Sequence, residues 1–215
     1  MNRIAILFTT LALACATGCS TVYYNTMEKF GVHKRDIMVD RVKEARDSQQ
    51  EAKKEFANAL EQFKSVVAVK GGNLEAKYNK LNAALAKSEA QATEVRDRIA
   101  AVEDVSGALF KEWKAELKQY SSADLRRTSE QKLKDAQARY RELIAAMKQA
   151  ESRLEPVLQP LRDQVLFLKH NLNAKAIGGL TDEVNAIQSK VDQLVRDMES
   201  SIREADAFIA TLGES

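Results

Sequence analysis

Apolar side chains recur at alternating steps of four and three residues through most of the chain, and few residues interrupt the pattern. One series runs from Leu74 to Tyr120 and a second from Leu180 to Leu212. A period of about 3.5 residues draws one apolar stripe along a helix and favours left-handed supercoiling against a partner helix. A sheet-rich fold needs many turns and many aromatic residues, whereas this chain has 2 Pro, 8 Gly and 6% aromatic residues. The sequence therefore predicts an all-α protein.

Turn signals divide the chain into long segments. The signals are Gly71-Gly72-Asn73, a start resembling a capping box at residues 121–124, and Gly178-Gly179. They leave four segments, at roughly 23–70, 74–120, 122–175 and 180–212. Neighbouring helices joined by short links form antiparallel hairpins. We therefore predict an elongated antiparallel helical bundle, or coiled-coil hairpins, of about four long helices in a single domain over residues 20–215.

Two prolines interrupt the third segment. Pro156 and Pro160 each lack a backbone hydrogen-bond donor, and a proline ring clashes with the preceding turn of a helix. We expect a kink near residues 152–160, or a split into two helices, and we treat the two prolines as a candidate hinge.

The first residues have the form of an export signal. Arg3 precedes an apolar stretch at residues 4–14, and no other charge appears before Glu28. An apolar stretch of this length does not span a bilayer as a helix, which takes about 20 residues. It fits the apolar region of a secretory signal. We predict that residues 1–19 carry a signal peptide whose cleavage leaves a shorter mature chain.

The end of this signal resembles a bacterial lipobox. Its residues are Ala16-Thr17-Gly18-Cys19, with small side chains before a cysteine. In signals of this kind the cysteine thiol receives a diacylglyceryl group, and cleavage follows just before the cysteine. Cys15 is the competing site, but Cys19 is preferred because Gly18 precedes it and because Cys15 would leave a shorter apolar region. The predicted lipid attachment residue is therefore Cys19.

The residue after the cysteine bears on location. Ser20 resembles the sorting signals that favour the outer membrane, whereas aspartate there favours retention at the inner membrane. Two or more acyl chains, palmitate among them, hold a protein stably to a bilayer. We predict an outer-membrane lipoprotein that faces the periplasm of a Gram-negative cell, with the membrane as its first partner.

The segment after the cysteine is rich in aromatic and basic residues that could meet lipid headgroups. Tyrosine rings favour the membrane interface, and cations near an anionic surface are attracted to it. The candidates for headgroup contact are Tyr23, Tyr24, Lys29, Lys34 and Arg35. The alternative is pairing of these cations with neighbouring carboxylates, such as those of Glu28 and Asp36, inside the bundle.

The sequence lacks the motifs of common catalytic and metal sites. Its histidines, His33 and His170, do not lie in a Glu-x-x-His or His-Glu-x-x-His pattern, and there is no phosphate-binding glycine loop and no Gly-x-Ser-x-Gly elbow. Carboxylates with basic neighbours at helical spacing are typical of solvated helix faces. We expect no enzymatic activity, no catalytic residue, no metal site and no cofactor. A net charge of +2 and an extracytoplasmic location argue against nucleic-acid binding.

The segment after the cysteine also carries a resemblance. The residues concerned are Tyr23-Tyr24, Glu28-Lys29, Gly31, His33-Lys34-Arg35-Asp36, Val39-Asp40-Arg41-Val42, Ala45-Arg46 and Gln49. With them the chain resembles an uncharacterised proteobacterial lipoprotein family, domain of unknown function 2959, over nearly the whole mature chain. The resemblance implies a helical lipoprotein of the cell envelope and carries no catalytic residue.

Two functions follow from these features. The first is a non-enzymatic, lipid-anchored coiled-coil element that acts as a structural or adaptor protein of the envelope, with an envelope protein, the cell wall or a second copy as its partner. The second is a periplasmic binding or chaperone-like module that holds apolar ligands or unfolded chains in a helical groove. An exposed apolar groove would distinguish the second from the first.

Overall fold

The structure, a computed structural model, describes residues 19–68, 73–173, 177 and 180–213. In these residues the regular elements are helical. They are α1 (Cys19–Lys29), α2 (Lys34–Val67), α3 (Leu74–Glu116), a 3₁₀ turn (Leu117–Gln119), α4 (Ala123–Ser152), α5 (Leu154–His170) and α6 (Thr181–Gly213). Residues 1–18, with the predicted signal and Cys15, lie outside the described residues, as do both Gly-Gly pairs.

The helices form an up-and-down bundle. Helix α2 packs against α3 and α6, and α4 and α5 pack against the same two helices from the opposite side. Successive long helices therefore run antiparallel around a ring, with α2 diagonal to α4 and α5. At 1.5 Å per residue, the 43 residues of α3 give the bundle a length of about 65 Å. We call the end with the turns at residues 30–33 and 117–122 the near end, and the opposite end the far end.

The apolar stripes predicted from the sequence face a common core. In α3 the buried stripe positions are Leu81, Leu85, Ser88, Ala92, Val95, Ile99, Val102 and Ser106. In α6 they are Ile187, Val191, Leu194, Met198, Ile202 and Ala205. The two buried serines of the α3 stripe find partners on the backbone: the Ser88 hydroxyl donates to the Glu55 carbonyl oxygen of the neighbouring helix at 3.1 Å, and the Ser106 hydroxyl donates to the Glu103 carbonyl oxygen at 2.9 Å. The prediction of an all-α helical bundle is confirmed.

The first predicted segment, at roughly 23–70, was expected to form one long helix, but it forms two. A turn at residues 30–33 separates α1 from α2. The turn lets α1 fold back along the bundle, so α2 has 34 residues and is shorter than the 43 residues of α3. The segments at roughly 23–70 and 74–120 therefore do not form two helices of nearly equal length.

The proline-containing segment is divided into two helices. Helix α4 ends at Ser152, and Arg153 forms a turn whose backbone N–H donates to the Ala150 carbonyl oxygen at 3.1 Å. Pro156 lies in the first turn of α5, where a backbone N–H would lack an intrahelical acceptor, and Pro160 lies inside α5. This is the split expected near residues 152–160. Movement at the junction stays a prediction.

Among the helices that the structure describes, none combines the length and the apolar character needed to cross a membrane.

Candidate functional site

The turn between α1 and α2 is a glycine-terminated helix end. Gly31 adopts φ +80°, a conformation that glycine reaches without the steric cost of a Cβ atom. Its N–H donates to the Glu28 carbonyl oxygen at 2.9 Å, and the Val32 N–H donates to the Met27 carbonyl oxygen at 3.1 Å. These two bonds define a Schellman motif, which stops α1 and reverses the chain. Helix α2 then begins after His33.

The inner face of α1 is fastened to α3 by a tyrosine. The Tyr24 side chain is 5% exposed, and its hydroxyl donates to a carboxylate oxygen of Asp104 at 2.6 Å. Burial raises the pKa of Tyr24 above its ordinary value of 10.0, and the hydrogen bond to Asp104 raises it further. The phenol therefore stays protonated and keeps donating to Asp104 at neutral pH.

A second attachment joins three elements at the near end. Lys34 is 7% exposed, and its ammonium group pairs with the carboxylate of Glu28 in α1 and, at 3.0 Å, with that of Glu112 in α3. Burial lowers the pKa of Lys34, but the two carboxylates outweigh this effect and raise the pKa overall. The hydrogen bond from Lys34 lowers the pKa of Glu28. At neutral pH both partners are charged and hold α1 against the bundle.

The outer face of α1 and the turn that follows carry exposed side chains. Tyr23 is 42% exposed and Phe30 is 79% exposed, and Lys29 is exposed as well. Arg35, in the first turn of α2, is also exposed. The Tyr23 and Tyr24 rings meet edge to face, with centroids 5.4 Å apart. Phe30 is large and apolar, but it lies beside the turn at Gly31 and its side chain faces solvent.

The structure thus separates the five residues predicted to meet headgroups. Tyr24 and Lys34 serve contacts within the bundle, and for Lys34 these are the intramolecular ion pairs that the sequence analysis kept as the alternative. Tyr23, Lys29 and Arg35 remain at the surface. Arg35 also lies 3.6 Å from the carboxylate of Asp36 beside it. Cys19 is the first residue of α1.

A cavity of about 590 Å³ opens at the near end, between α2, α3, α4 and α6. This volume lies within the range of about 300–1,000 Å³ that small-molecule sites occupy. Its apolar wall is formed by Met38, Leu109, Phe110, Trp113, Phe208 and Leu212. Charged side chains of both signs, among them Arg139 and Glu116, also line it. A cavity with a largely apolar wall therefore opens at the near end of the bundle.

Trp113 is half-buried, packs against the hydrophobic core and also lines this cavity. Its indole N–H donates to the Ser129 hydroxyl of α4 at 2.8 Å, which fixes the ring at the cavity wall. The sequence showed the apolar position of Trp113 but held no signal for a cavity, because the cavity depends on where the ends of four helices fall. Tyr120 and Leu125 at the same end are exposed.

Within the residues described, no group of three or more His, Cys, Asp or Glu side chains lies close enough to hold a metal ion. At the near end the carboxylates of Glu28 and Glu112 pair with Lys34. The side chains at the near end therefore attach α1 to the bundle and form the apolar wall of the cavity.

A family model described as "Protein of unknown function (DUF2959)" matches residues 23–212. The chain belongs to the DUF2959 family. No curated protein matches this DUF2959 chain significantly. The match extends from the exposed Tyr23 of α1 to Leu212 at the wall of the cavity, so it includes both attachments of α1 and all four helices around the cavity.

Proposed function

We propose that this DUF2959 protein is a non-enzymatic lipoprotein, anchored through Cys19 to the periplasmic face of a Gram-negative outer membrane. In this proposal its helical bundle is a structural or adaptor element of the cell envelope. The observation that carries the proposal is the position of the lipobox cysteine at the first residue of α1, a helix that Tyr24 and Lys34 fasten to the bundle. A lipid at this position would be coupled to the bundle without a long flexible linker.

Lipid labelling tests the anchor. The full chain is expressed in a Gram-negative host with an alkyne analogue of palmitate, and membranes are separated on a density gradient. We expect label in the wild-type protein and in Cys15→Ala, and loss of both label and membrane recovery in Cys19→Ala. Label that survives in Cys19→Ala, or a wild-type chain without label, would contradict the proposal. Recovery with the inner membrane would contradict only the outer-membrane assignment.

Photo-crosslinking in intact cells tests the adaptor role. Helix α5 exposes Leu166 and Phe167, with exposed fractions of 64% and 41%, in the half of the bundle nearer the far end. A photoreactive residue at position 166 is compared with one at Asp163, an exposed polar position of the same helix. We expect one defined product at position 166 that is weaker at 163. A product of twice the chain mass would indicate a homo-oligomer, and no defined product at either position would argue against an adaptor surface on α5.

The cavity favours a second candidate function, a binding module for apolar ligands. Trp113 is the one tryptophan of the sequence and lines the cavity, so its fluorescence reports on the cavity alone. A brominated fatty acid is titrated into the protein, because bromine quenches a tryptophan that it approaches. We expect saturable quenching that Leu212→Glu weakens and that Leu166→Glu, far from the cavity, leaves unchanged. Quenching that does not saturate, or that ignores Leu212→Glu, would remove this candidate.

A further inference from the structure

Helical spacing places the lipidation position on the same side of α1 as an exposed tyrosine, and an exposed phenylalanine follows in the turn. Position 19 is four residues before Tyr23, which is the spacing of a single helix face, and Phe30 lies in the turn directly after the last residue of α1. Tyr24 and Glu28, which attach α1 to the bundle, lie on the other side. One face of α1 is therefore used by the bundle, while the face in register with Cys19 points away from it.

Two large aromatic side chains are exposed on the outward face of α1 and in the turn after it. Tyr23 and Phe30 are two of the six large apolar or aromatic side chains that are exposed in the described residues. Both lie within eight residues of sequence, next to the exposed Lys29. Aromatic rings with a neighbouring cation are the side chains that settle at a membrane–water interface. The carboxylate of Glu28 already pairs with Lys34, so it does not offset the positive charge of Lys29.

The direction of α1 fixes where the anchor lies along the bundle. Tyr24 contacts Asp104, which is eight residues before Glu112 in α3, whereas Glu28 lies level with Glu112. Eight residues of helix correspond to about 12 Å. Helix α1 therefore runs from the near end back along the α2–α3 side, and its first residue lies beside the bundle instead of beyond its end.

We propose that the outward face of α1 is a bilayer-contacting surface and that α1 lies between the membrane and the α2–α3 side of the bundle. The partner is a lipid bilayer with anionic headgroups: the rings of Tyr23 and Phe30 enter the interface, and Lys29 meets the headgroup phosphates. The bundle then rests lengthwise on the membrane and does not project from it. This inference rests on the proposed function, because the lipid on Cys19 supplies the anchor.

Vesicle binding of an unlipidated chain tests the surface separately from the anchor. The chain from residue 19 onward with Cys19→Ser is sedimented with vesicles of phosphatidylcholine, with and without phosphatidylglycerol. We expect binding that phosphatidylglycerol strengthens and that Phe30→Glu weakens by about tenfold, the effect of losing one buried phenylalanine ring. Leu166→Glu, a change of another exposed apolar residue, this one on α5, is the matched control and leaves binding unchanged.

Two results of this experiment would overturn the surface assignment. One is equal binding of the parent chain and Phe30→Glu, and the other is an equal loss in Leu166→Glu. Phe30 is 79% exposed, so its substitution leaves the hydrophobic core intact. Circular dichroism spectra check that each variant is as helical as the parent chain.

Energy transfer in the intact lipoprotein tests the orientation. The sequence has 2 cysteines, Cys15 in the signal and Cys19 under the lipid, so a single introduced cysteine takes a fluorophore cleanly. Ala76→Cys marks the far end and Ser121→Cys marks the near end, both at exposed positions. With acceptor lipids in the bilayer, a bundle lying lengthwise gives comparable transfer from both positions. A standing bundle of about 65 Å gives strong transfer from position 121 and little from position 76.

The two proposals fail in different ways. A chain that carries no palmitate label contradicts the lipoprotein assignment whatever its orientation. A labelled chain with little transfer from position 76 contradicts only the lengthwise orientation.

Discussion

The hydroxyl of Tyr24 gives a quantitative test of how α1 is held. Tyr24→Phe removes the 2.6 Å hydrogen bond to Asp104 and leaves the buried ring in place. A hydrogen bond to a charged group contributes about 1.5–3 kcal/mol, and a typical one about 0.5–1.5 kcal/mol. Because the Asp104 side chain is exposed and can be rehydrated, we take the lower range, about 1 kcal/mol. The equilibrium for detachment of α1 should then shift about fivefold.

Removing the ring as well has a larger effect. A buried aromatic side chain covers about 150–250 Å², and at about 25 cal/mol per Å² its loss costs at most about 4–6 kcal/mol. Tyr24→Ala should therefore release α1 from the bundle, while α2 to α6 keep their own core. The contrast between the two variants separates the contribution of the hydrogen bond from that of the ring.

Amide hydrogen exchange of α1 measures both changes, because exchange there reports local detachment. We expect exchange in residues 24–30 about fivefold faster in Tyr24→Phe and close to unprotected in Tyr24→Ala, with the centre of α3 unchanged in both. Tyr23→Phe, on the neighbouring and 42% exposed tyrosine, is the control and should leave exchange unchanged. Equal protection in wild type and Tyr24→Ala would refute the docking of α1.

Three further outcomes are expected. Gly31→Ala forces an alanine into φ +80° and should destabilise α1 docking by about 1 kcal/mol, measured by the same exchange. The pKa of Glu28 is lowered by Lys34, so this ion pair stabilises docking fully above the unfolded value of 4.5 and is lost as the pH falls through the folded value. Glu28→Gln should therefore flatten the acid-side loss of α1 protection. Gln49 is fully buried and its amide atoms lack hydrogen-bond partners among the described residues, so Gln49→Met should raise the free energy of unfolding by about 1–3 kcal/mol in a denaturant titration.

The long helices of the bundle were predictable because their signals are local. The α3 series buries the positions from Leu81 to Ser106 as its period indicated. The α4 cap was placed to within one residue: the Ser122 hydroxyl accepts from the Leu125 N–H at 3.3 Å, whereas the capping-box pattern put the cap at Ser121. Periodicity and caps act within one or two turns of helix, so they can be recognised without knowledge of the partner.

The site was less predictable. Phe30 is large and apolar and is nevertheless exposed, because the turn at Gly31 follows it directly, and the turn signals read from the sequence did not include this one. Tyr24 and Lys34 looked like membrane-facing residues because both follow the lipobox closely. Asp104 and Glu112 are about 80 residues away from them in sequence, and no local pattern indicates such distant pairs. Glu28, the other partner of Lys34, lies six residues before it and was the pairing that the sequence did indicate.

The sequence by itself determined the helical class, the inward stripes and the cysteine motif that points to an anchor, because each of these depends on neighbouring residues. Only the tertiary structure decided that α1 turns back along α2 and α3, which cations are buried, and that a cavity opens where four helix ends meet. The physical reason is that burial of Tyr24 and Lys34, and the space beside Trp113, depend on the axial offset between helices. Packing along the whole bundle, which is about 65 Å long, sets that offset, and no single segment determines it.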